Sequence, residues 1–420
     1  MKNIYFQGLQ CKKCNSSFEP EEDLLLCPKC RNLLDPQYDY GQLKRDWSGL
    51  KIESRPNDIW RYRELMPVVY FDRIVTLGEG GAPLLDCTEL ADEIGVGKFY
   101  ILNDAGQPTG SLKDRSIAVT ATKAREFGYQ TLSCDSTGNK AASTAGYAAR
   151  AGMKSVVVCP HTTPTPKVAQ ALFYGAHLIK LKAHYSEMNR IYRDMVASRR
   201  YHWYDCGTDN PFRYEGKKTY AYEIAQGLGW KCPTYVLQPA AGGMSIVKAW
   251  KGFKELREIG LVDDAFPKMV ACQAEACGPI VAAINARLDR VPGVEKGVTV
   301  ASAIAVSNPE LLGNETLRAV VESSGSGVHV SDEDLLKTWQ RLAKVGIFCE
   351  PSSAVAVASA YNIAKQGGFK KKDIVVAVVT GSGFKDSETL DKYIDIPTDV
   401  VEGGEALYGV LDKLCEDYGL

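Results

Sequence analysis

The chain has 420 residues, of which 45% are hydrophobic and 24% are charged, and its 50 Lys and Arg against 51 Asp and Glu give a net charge of −1. At roughly 100–200 residues per domain, this length predicts about two to four domains. The near-neutral charge argues against nucleic acid as the main partner, and no apolar run approaches the ~20 residues of a membrane-spanning helix.

The first predicted element is a small metal-binding segment near the amino terminus. Four of the 13 cysteines, Cys11, Cys14, Cys27 and Cys30, have the spacing C-x2-C-x12-C-x2-C. Each C-x2-C turn presents two thiolates to one point, and two such turns complete a closed tetrahedral zinc site, so the site would be structural. Chance clustering of reduced cysteines and an iron–sulfur cluster are the alternatives, and the paired spacing favours zinc over both.

The other nine of the 13 cysteines are scattered singly along the chain. Several of them, such as Cys134, Cys159 and Cys272, lie in strand-like apolar segments, where a free cysteine behaves as a small hydrophobic residue. We therefore expect these nine to be buried packing residues. This usage is typical of a reduced protein and, with no secretory signal opening the chain, predicts a cytoplasmic location.

From about residue 70, short apolar strands alternate with amphipathic helices. The predicted strands are Phe99–Leu102, Gln130–Cys134, Ser155–Cys159, His177–Leu181, Thr234–Leu237, Met269–Gln273 and Asp373–Val379. The predicted helices are Asp114–Phe127, Lys140–Arg150, Ser186–Arg199, Thr219–Leu228, Ile246–Ile259 and Ala354–Lys365. This alternation indicates an α/β fold with parallel sheets and helices on both faces. Ligands bind at the carboxyl ends of such strands, and the polar clusters of this chain fall there.

One polar cluster, from Pro108 to Arg115, follows a predicted strand and opens a helix near Lys113. The helix dipole disfavours a cation at this position, which lowers the pKa of the amine and suits a nucleophile that forms a Schiff base. For a single lysine, the alternative of an ordinary surface residue beside Asp114 is the better one. The case for chemistry therefore depends on the other clusters.

Three further clusters occupy the same position after a strand. The segment Asp135–Asn139 offers hydroxyls and backbone N–H groups at a helix start, which suit a carboxylate or phosphate, although a helix cap explains it equally well. The glycine turn within residues 239–245 is a candidate phosphate loop. The segment 379–383 places the Thr380 hydroxyl at the carboxyl edge of the sheet. In this order along the chain, the four clusters together indicate one binding site.

The order of these motifs resembles the threonine synthase family. The strings that carry the resemblance are PTGSLKDR around Lys113, STGN at 136–139, EPSSA at 350–354 and VTGSGFKD at 379–386. WRYRELMPV, LGEGGAPL, NPFRYEGKKT and AWKGFKEL extend it over residues 60–386, and the cysteine ribbon recurs in some members. The resemblance implies a pyridoxal-phosphate enzyme of the tryptophan synthase β type, with two parallel-sheet-based α/β domains plus a small zinc ribbon.

On the cofactor side, the resemblance implies a role for each cluster. Lys113 would be the Schiff-base lysine and would carry protons between Cα and Cβ of the substrate. Asn139 would contact the hydroxyl of the cofactor ring, and Thr380 would contact its pyridine nitrogen. The backbone of one loop would hold the cofactor phosphate, namely Ala241, Gly242, Gly243, Met244 and Ser245.

On the substrate side, the resemblance implies that Ser136 and Thr137 bind the amino-acid carboxylate. Arg213 would bind a substrate phosphate, which a bidentate guanidinium suits. The implied reaction is the elimination of phosphate from O-phospho-L-homoserine, followed by the addition of water at Cβ to give L-threonine.

The resemblance also divides the chain into parts. Residues 1–45 would form the ribbon, residues 46–124 and 206–420 the large cofactor domain, and residues 125–205 a small mobile domain that closes over the substrate. Family members are commonly dimers, so we expect a homodimer. We expect its other partner to be a small phosphorylated amino acid, with no nucleic acid and no membrane.

Several substrate-side positions depart from the family pattern. Asp135 precedes STGN and would repel an anion, Lys140 follows it and would add a phosphate contact, and Gly207-Thr208 stands where relatives begin with Asn-Ser. These differences leave open sequence drift or a β-replacement enzyme for another phosphorylated amino acid, such as O-phosphoserine or O-phosphothreonine. A catalytically silent binding protein, in which the ribbon recruits a partner, is an alternative of another class. The retained lysine and cofactor contacts argue against it.

Overall fold

The computed structural model describes residues 1–183, 185–207, 209–295, 297–393 and 401–418. The chain forms two compact units that divide between Asp386 and Ser387. This boundary lies inside the segment 206–420 that the sequence assigns to the large domain. The prediction made for Thr208 falls outside the described residues.

The elements follow the alternation that the sequence predicts. The strands in the described residues are β1 (Phe6–Cys11), β2 (Ser17–Phe18), β3 (Leu34–Tyr38), β4 (Leu84–Asp86), β5 (Lys98–Asn103), β6 (Thr131–Asp135), β7 (Lys154–Pro160), β8 (His177–Leu181), β9 (Tyr204–Asp205), β10 (Tyr235–Pro239), β11 (Lys268–Ala274), β12 (Ser326–Val330) and β13 (Ile374–Val379). The helices there are α1 (Tyr40–Asp46), α2 (Thr88–Ile94), α3 (Lys113–Glu126), α4 (Asn139–Ala151), α5 (Thr165–Phe173), α6 (Tyr185–Ala197), α7 (Thr219–Gly227), α8 (Met244–Glu258), α9 (Pro279–Asn285), α10 (Glu310–Glu322), α11 (Asp332–Lys344), α12 (Pro351–Lys365), α13 (Ser387–Tyr393) and α14 (Gly404–Tyr418). Every predicted strand and helix corresponds to one of them, with ends that shift by a few residues.

The first unit contains two separate α/β sheets. The larger has six strands in the order β12-β11-β10-β13-β5-β4, and its strands are parallel except for β4, which pairs antiparallel with β5 at the edge. The smaller has four parallel strands in the order β8-β7-β6-β9, all from residues 131–205. Helices cover parallel strands on both faces, which explains why β13 is an unbroken apolar run with five of its six residues buried. The predicted fold class is confirmed.

Each sheet contains a point where the strand order reverses. In the larger sheet, the chain runs from β10 outward through β11 and β12 and then returns to β13 on the other side of β10. In the smaller sheet, it runs from β6 through β7 and β8 and returns to β9 on the other side of β6. Crevices open at the carboxyl ends of strands at such reversals. The loops after β10, β13, β6 and β9 are therefore expected to line a site.

The amino-terminal segment adds a three-stranded antiparallel sheet in the order β2-β1-β3. Gly8 in β1 has a φ of +109°, and a Cβ there would lie 2.1 Å from the carbonyl oxygen of Phe18. This position therefore requires glycine for the two strands to approach each other.

The second unit consists of α13 and α14 in the described residues, and neither helix buries a residue. Cys415 on α14 is consequently exposed, so the prediction that all nine scattered cysteines are buried is wrong there. Cys87 and Cys232 are half-buried, and the other six are buried as expected. No helix in the described part of the chain combines the length and the apolar character that crossing a bilayer requires.

Candidate active site

The loop before α3 holds Lys113 against the end of β13. Lys113 is the first residue of α3. Just before it, Ser111 forms a β-bridge with Gly381, and the backbone N–H of Leu112 donates to the carbonyl oxygen of Thr380 at 2.8 Å. The structure therefore brings Lys113 and the Thr380 loop to the same edge of the larger sheet.

Asp114 is buried and directed away from its neighbour Lys113. Its carboxylate accepts hydrogen bonds from Thr109 N at 2.7 Å, from Thr109 Oγ1 at 2.6 Å and from Ser143 Oγ at 2.7 Å. These bonds tie the loop before α3 to α4. Asp114 is therefore not a surface residue, and Lys113 itself is half-buried rather than exposed.

The surroundings of Lys113 are positively charged. Burial is the largest cause that lowers the pKa of its amine to about 8, and the nearby charges of Arg213 and Lys140 lower it further, whereas Glu350 acts in the opposite direction. In the part of the chain that the structure describes, Lys113 Nζ takes part in no hydrogen bond or salt bridge. An amine with such a pKa is partly neutral near physiological pH and can act as a nucleophile or a base.

The loop from β6 into α4 is held by Ser136. Ser136 Oγ accepts hydrogen bonds from the backbone N–H groups of Gly138 at 3.3 Å and Ala141 at 3.2 Å. Ser136 thus ties the loop to the first turn of α4, although the N-cap residue of this helix is Gly138, and its neighbour Thr137 is half-buried in the same turn. A role in binding a substrate carboxylate stays a prediction for both residues.

Asn139, the first residue of α4, contacts a carboxylate that the sequence did not single out as functional. Its Nδ2 donates to Glu350 Oε2 at 3.2 Å and to Oε1 at 3.4 Å. Glu350 is buried just before α12, and burial raises its pKa. The EPSSA string that contains it was recognisable from the sequence, but its contact with a loop more than 200 residues away was not.

The two charged residues that flank STGN pair with each other. Lys140 Nζ forms a salt bridge with Asp135 Oδ1, and both side chains are largely buried. The repulsion expected from Asp135 is therefore offset by Lys140 within the protein. A contact of Lys140 with a substrate phosphate stays a prediction.

The predicted phosphate loop follows β10 and leads into α8. Gly243 has a φ of +77°, and a Cβ there would lie 2.2 Å from Thr316 Oγ1. The Thr316 hydroxyl also donates to the carbonyl oxygen of Gly242 at 3.0 Å, which fixes the turn. No side chain caps the first turn of α8 in the described structure, so its backbone N–H groups point toward the loop and suit an anion.

Thr380 is held by a serine of the EPSSA string. Thr380 Oγ1 lies 3.0 Å from Ser353 Oγ, which also accepts from the backbone N–H groups of Thr380 at 3.0 Å and Gly381 at 3.1 Å. Ser353 thus orients the hydroxyl at the end of β13. Sequence reasoning did not assign Ser353, because its partner is distant along the chain.

Arg213 follows β9 and is buried, with 6% of its surface exposed. Its Nη1 donates to the carbonyl oxygen of Gly207 at 2.9 Å and to Tyr214 Oη at 3.2 Å. Its Nε is buried and has no hydrogen-bond partner among the described atoms. A buried guanidinium with an unused donor suits an anionic ligand.

Lys217 is a residue near the site that sequence reasoning missed. It is 6% exposed, and burial, followed by the charges of Lys113 and Arg213, holds its pKa well below the ordinary value. A signal was present, because Lys217 lies in the NPFRYEGKKT string four residues after Arg213. Because the charges of Lys113 and Arg213 both act on Lys217, the three residues lie in one positively charged region.

The four ribbon cysteines form one cluster, as predicted. Their Sγ atoms all lie within 4.8 Å of one another, with Cys11 and Cys30 separated by 3.4 Å and Cys14 and Cys27 by 3.7 Å. Both C-x2-C turns are followed by a residue in the left-handed region, Asn15 at φ 57° and Arg31 at φ 58°. The cluster can therefore hold a metal ion.

Comparisons with known proteins agree with this geometry. The family described as "Pyridoxal-phosphate dependent enzyme" matches residues 75–381. Among solved structures, maize serine racemase is similar with a TM-score of 0.63 and 17% identity, covering 87% of this chain and 100% of that one. Threonine deaminase isoform 2 from Solanum lycopersicum has a TM-score of 0.63 and 20% identity, covering 74% of this chain and 82% of that one. The chain has the fold of the pyridoxal-phosphate-dependent enzymes and belongs to that class.

Relatives of higher sequence identity than these solved structures indicate which family within this class the chain belongs to. The threonine synthase of Methanocaldococcus jannaschii is 35% identical over 96% of this chain and 99% of its own length. That of Methanosarcina acetivorans is 36% identical over 96% of this chain and 98% of its own length. The chain belongs to the threonine synthase family, which confirms the resemblance and the prediction of a pyridoxal-phosphate-dependent lyase.

The residues present fit pyridoxal phosphate. Lys113 supplies an amine with a lowered pKa, and Thr380 supplies a fixed hydroxyl at the carboxyl edge of the sheet. The first turn of α8 supplies uncapped N–H groups for a phosphate. These are the donor types that a lysine-bound aldehyde cofactor with a phosphate requires.

Proposed function

We propose that the protein converts O-phospho-L-homoserine and water to L-threonine and phosphate. The observation that carries this proposal is the buried Arg213, whose Nε donor is unused and whose charge helps to lower the pKa of Lys113. A substrate that carries both a carbon to be deprotonated and a phosphate to be released needs these two groups in one site.

Pyridoxal phosphate, when bound, withdraws electrons from the substrate and stabilises the carbanion that elimination requires. Lys113 would move protons at Nζ, because its lowered pKa makes it both acceptor and donor. Ser136 and Thr137 would hold the amino-acid carboxylate, and Arg213 would hold the departing phosphate. Closure of residues 125–205 would exclude water until the phosphate has left.

The remaining roles concern the cofactor. Asn139 Nδ2 would bind its ring hydroxyl, and the Thr380 hydroxyl, oriented by Ser353, would face its ring nitrogen. A neutral hydroxyl does not hold that nitrogen protonated, which favours elimination over transamination. The backbone of residues 241–245 would hold its phosphate at the start of α8.

A second candidate is β-replacement on another phosphorylated amino acid, such as O-phosphoserine or O-phosphothreonine. The observation that favours it is the salt bridge between Asp135 and Lys140 beside Ser136, where the chain departs from its family. A charge pair next to the carboxylate site changes which substrate length fits.

One assay separates the candidates. The purified holoenzyme is supplied with O-phospho-L-homoserine, O-phospho-L-serine or O-phospho-L-threonine, and phosphate and threonine are measured. We expect phosphate and threonine in equal amounts from the first substrate only. Release from O-phospho-L-serine or O-phospho-L-threonine, but not from O-phospho-L-homoserine, would support the second candidate. No release from any of the three would contradict a phosphate lyase and leave a silent binding protein.

The role of Arg213 is tested by Arg213→Leu. We expect KM for the phosphorylated substrate to rise by about 10- to 100-fold, because a charge-assisted hydrogen bond is lost. Cofactor affinity, measured by fluorescence titration, is expected to change little. Arg257→Leu, which removes a half-exposed arginine from α8, is the matched control. Equal losses of substrate and cofactor affinity in Arg213→Leu would contradict the assignment.

We also propose that the cysteine cluster binds structural zinc. Four sulfur ligands leave no open coordination position, which suits a structural ion. Elemental analysis of the purified protein is expected to give one zinc per chain and none in the Cys14→Ser, Cys27→Ser double variant. Retention of zinc by this variant would contradict the proposal.

The assembly and the location are proposals as well. We propose a cytoplasmic homodimer, which the scattered free cysteines and the family resemblance support. Light scattering during size-exclusion chromatography measures the assembly directly. A mass of one chain across the accessible concentration range would contradict the dimer.

A further inference from the structure

Lys217 and Arg213 approach the same aromatic ring. Lys217 lies in the 3-10 turn Glu215–Lys218, and its Nζ is 5.8 Å from the centroid of the Tyr214 ring. The guanidinium carbon of Arg213 is 4.9 Å from the same centroid. The backbone N–H of Lys217 donates to the carbonyl oxygen of Tyr214 at 3.0 Å, so this short segment fixes both cations relative to the ring.

The positive charge of Lys217 is not neutralised by a nearby carboxylate. Among the described residues, Lys217 Nζ takes part in no hydrogen bond or salt bridge. Asp104 is the carboxylate whose charge favours protonated Lys217, but Asp104 already pairs with Arg115 at 2.8 Å and accepts a hydrogen bond from Tyr220 Oη. Lys140, by contrast, pairs with Asp135.

Two buried cations without matching carboxylates are costly to a fold. An unpaired buried charge destabilises the folded state by several kcal/mol or loses its proton, as the lowered pKa of Lys217 indicates, so the retention of both groups points to an anionic ligand that favours their charged forms. A ligand that compensates both Arg213 and Lys217 carries two negative charges. A phosphate monoester is such a dianion near neutral pH, whereas a carboxylate ester or a sulfate ester contributes one negative charge or none.

We propose that Lys217 is a second phosphate-binding residue beside Arg213 and makes the substrate subsite selective for a dianionic phosphate ester. This inference rests on the proposed function, because it concerns the same substrate phosphate. The planar guanidinium binds two oxygens of a phosphate, and the ammonium, as a compact point charge, binds a third.

Three variants of the holoenzyme test the proposal. Lys217→Met replaces the lysine with an apolar side chain of similar length, and Lys217→Gln keeps a polar but neutral one. Lys254→Met makes the first change at a half-exposed lysine of α8 that pairs with Glu322 on the surface. For each, the dissociation constant of inorganic phosphate is measured by calorimetry, the melting temperature without phosphate by scanning calorimetry, and cofactor occupancy by visible absorbance.

We expect both Lys217 variants to weaken phosphate binding at least about tenfold. The KM for O-phospho-L-homoserine is expected to rise by the same factor, with cofactor occupancy unchanged. The melting temperature of Lys217→Met is expected to rise, because the change removes a buried amine that has neither an opposite charge nor a hydrogen-bond partner among the described residues. Lys254→Met is expected to match the unaltered enzyme in all of these measurements.

A role in folding alone predicts the opposite pattern, namely a lower melting temperature with unchanged phosphate affinity and KM, and that result would overturn the inference. Its failure is distinguishable from failure of the proposed function. If the enzyme releases phosphate and Arg213→Leu loses phosphate affinity while both Lys217 variants keep it, only the inference fails. If the unaltered holoenzyme neither binds inorganic phosphate nor releases it from any substrate, both fail.

Discussion

Lys217 and Lys218 are adjacent and both buried, yet their surroundings differ. Lys218 Nζ pairs with Glu215 Oε2 at 2.8 Å and with Glu255 Oε1 at 2.9 Å, whereas Lys217 has no salt bridge in the described parts of the chain. The charge of Lys218 is therefore neutralised inside the protein and contributes to the fold. Burial alone does not identify a functional charge, but burial without an opposite charge does.

The ion pairs around Lys218 belong to a larger network that reaches the amino-terminal ribbon. Glu215 also contacts Lys248 and Lys251 of α8, and both lysines reach Asp35 of β3. Burial by itself would raise the pKa of Glu215, but the three ammonium groups around it hold the pKa below its ordinary value. This network joins the amino-terminal segment that contains the cysteine cluster to α8, which begins at the predicted phosphate loop.

The largest expected effect comes from the candidate active site, where Lys113 lies near Lys217, which is unpaired among the described residues. Lys113→Ala removes the amine that we propose to bind the cofactor and to move protons, so we expect phosphate release to fall by at least about 10³-fold. The visible absorbance that persists through gel filtration is expected to disappear, while the melting temperature of the cofactor-free protein does not fall. A variant that kept its colour and activity would remove Lys113 from the mechanism.

The contribution of the ion pairs around Lys218 to the stability of the fold is tested by comparing Lys218→Met with Lys217→Met. Lys218→Met leaves Glu215 and Glu255 with less opposite charge, so we expect the free energy of unfolding to fall by about 3–5 kcal/mol. Lys217→Met is expected not to lower the free energy of unfolding. Urea unfolding followed by circular dichroism measures both. Equal losses in the two variants would refute the distinction between the adjacent lysines.

A smaller effect concerns the pH dependence of the cofactor-free protein. The folded-state pKa of Lys113 is lowered from 10.5 to about 8, so its buried charge destabilises the fold fully below pH 8, and this cost disappears as pH rises toward 10.5. The melting temperature of Lys113→Met is therefore expected to exceed that of the unaltered protein at pH 7, with a gap that narrows up to pH 10.5. A gap that widened over this range would contradict the lowered pKa.

The smallest expected effect comes from Glu350, whose charge opposes the cations around Lys113. Glu350→Gln keeps an acceptor for Asn139 but removes the charge, so we expect the pKa of Lys113 to fall by up to about one unit. The midpoint of the pH profile for covalent capture of pyridoxal phosphate by the cofactor-free protein measures this shift. Glu322→Gln, on the surface of α10, is the control, and an upward shift in Glu350→Gln would contradict the effect.

The sequence predicted what depends on local pattern. Alternating strands and helices, the cysteine spacing and the polar loops at the strand ends are local features, and the structure contains all of them. The sequence did not predict contacts between segments that are far apart along the chain. Glu350 with Asn139, Ser353 with Thr380 and the pairing of Asp35 with α8 depend on how the chain returns to the same edge. The sequence alone did not separate Lys217 from Lys218, because the second partner of Lys218, Glu255, lies on a helix that is distant along the chain.

The 3-10 turn Glu215–Lys218 explains how two adjacent lysines came to differ. Residues three apart lie above each other in such a turn, so Glu215 aligns with Lys218, while Lys217 points about a third of a turn away. The two positions are therefore free to evolve separately. Across relatives, we expect position 218 to covary with positions 215 and 255, and position 217 to vary with the charge of the leaving group.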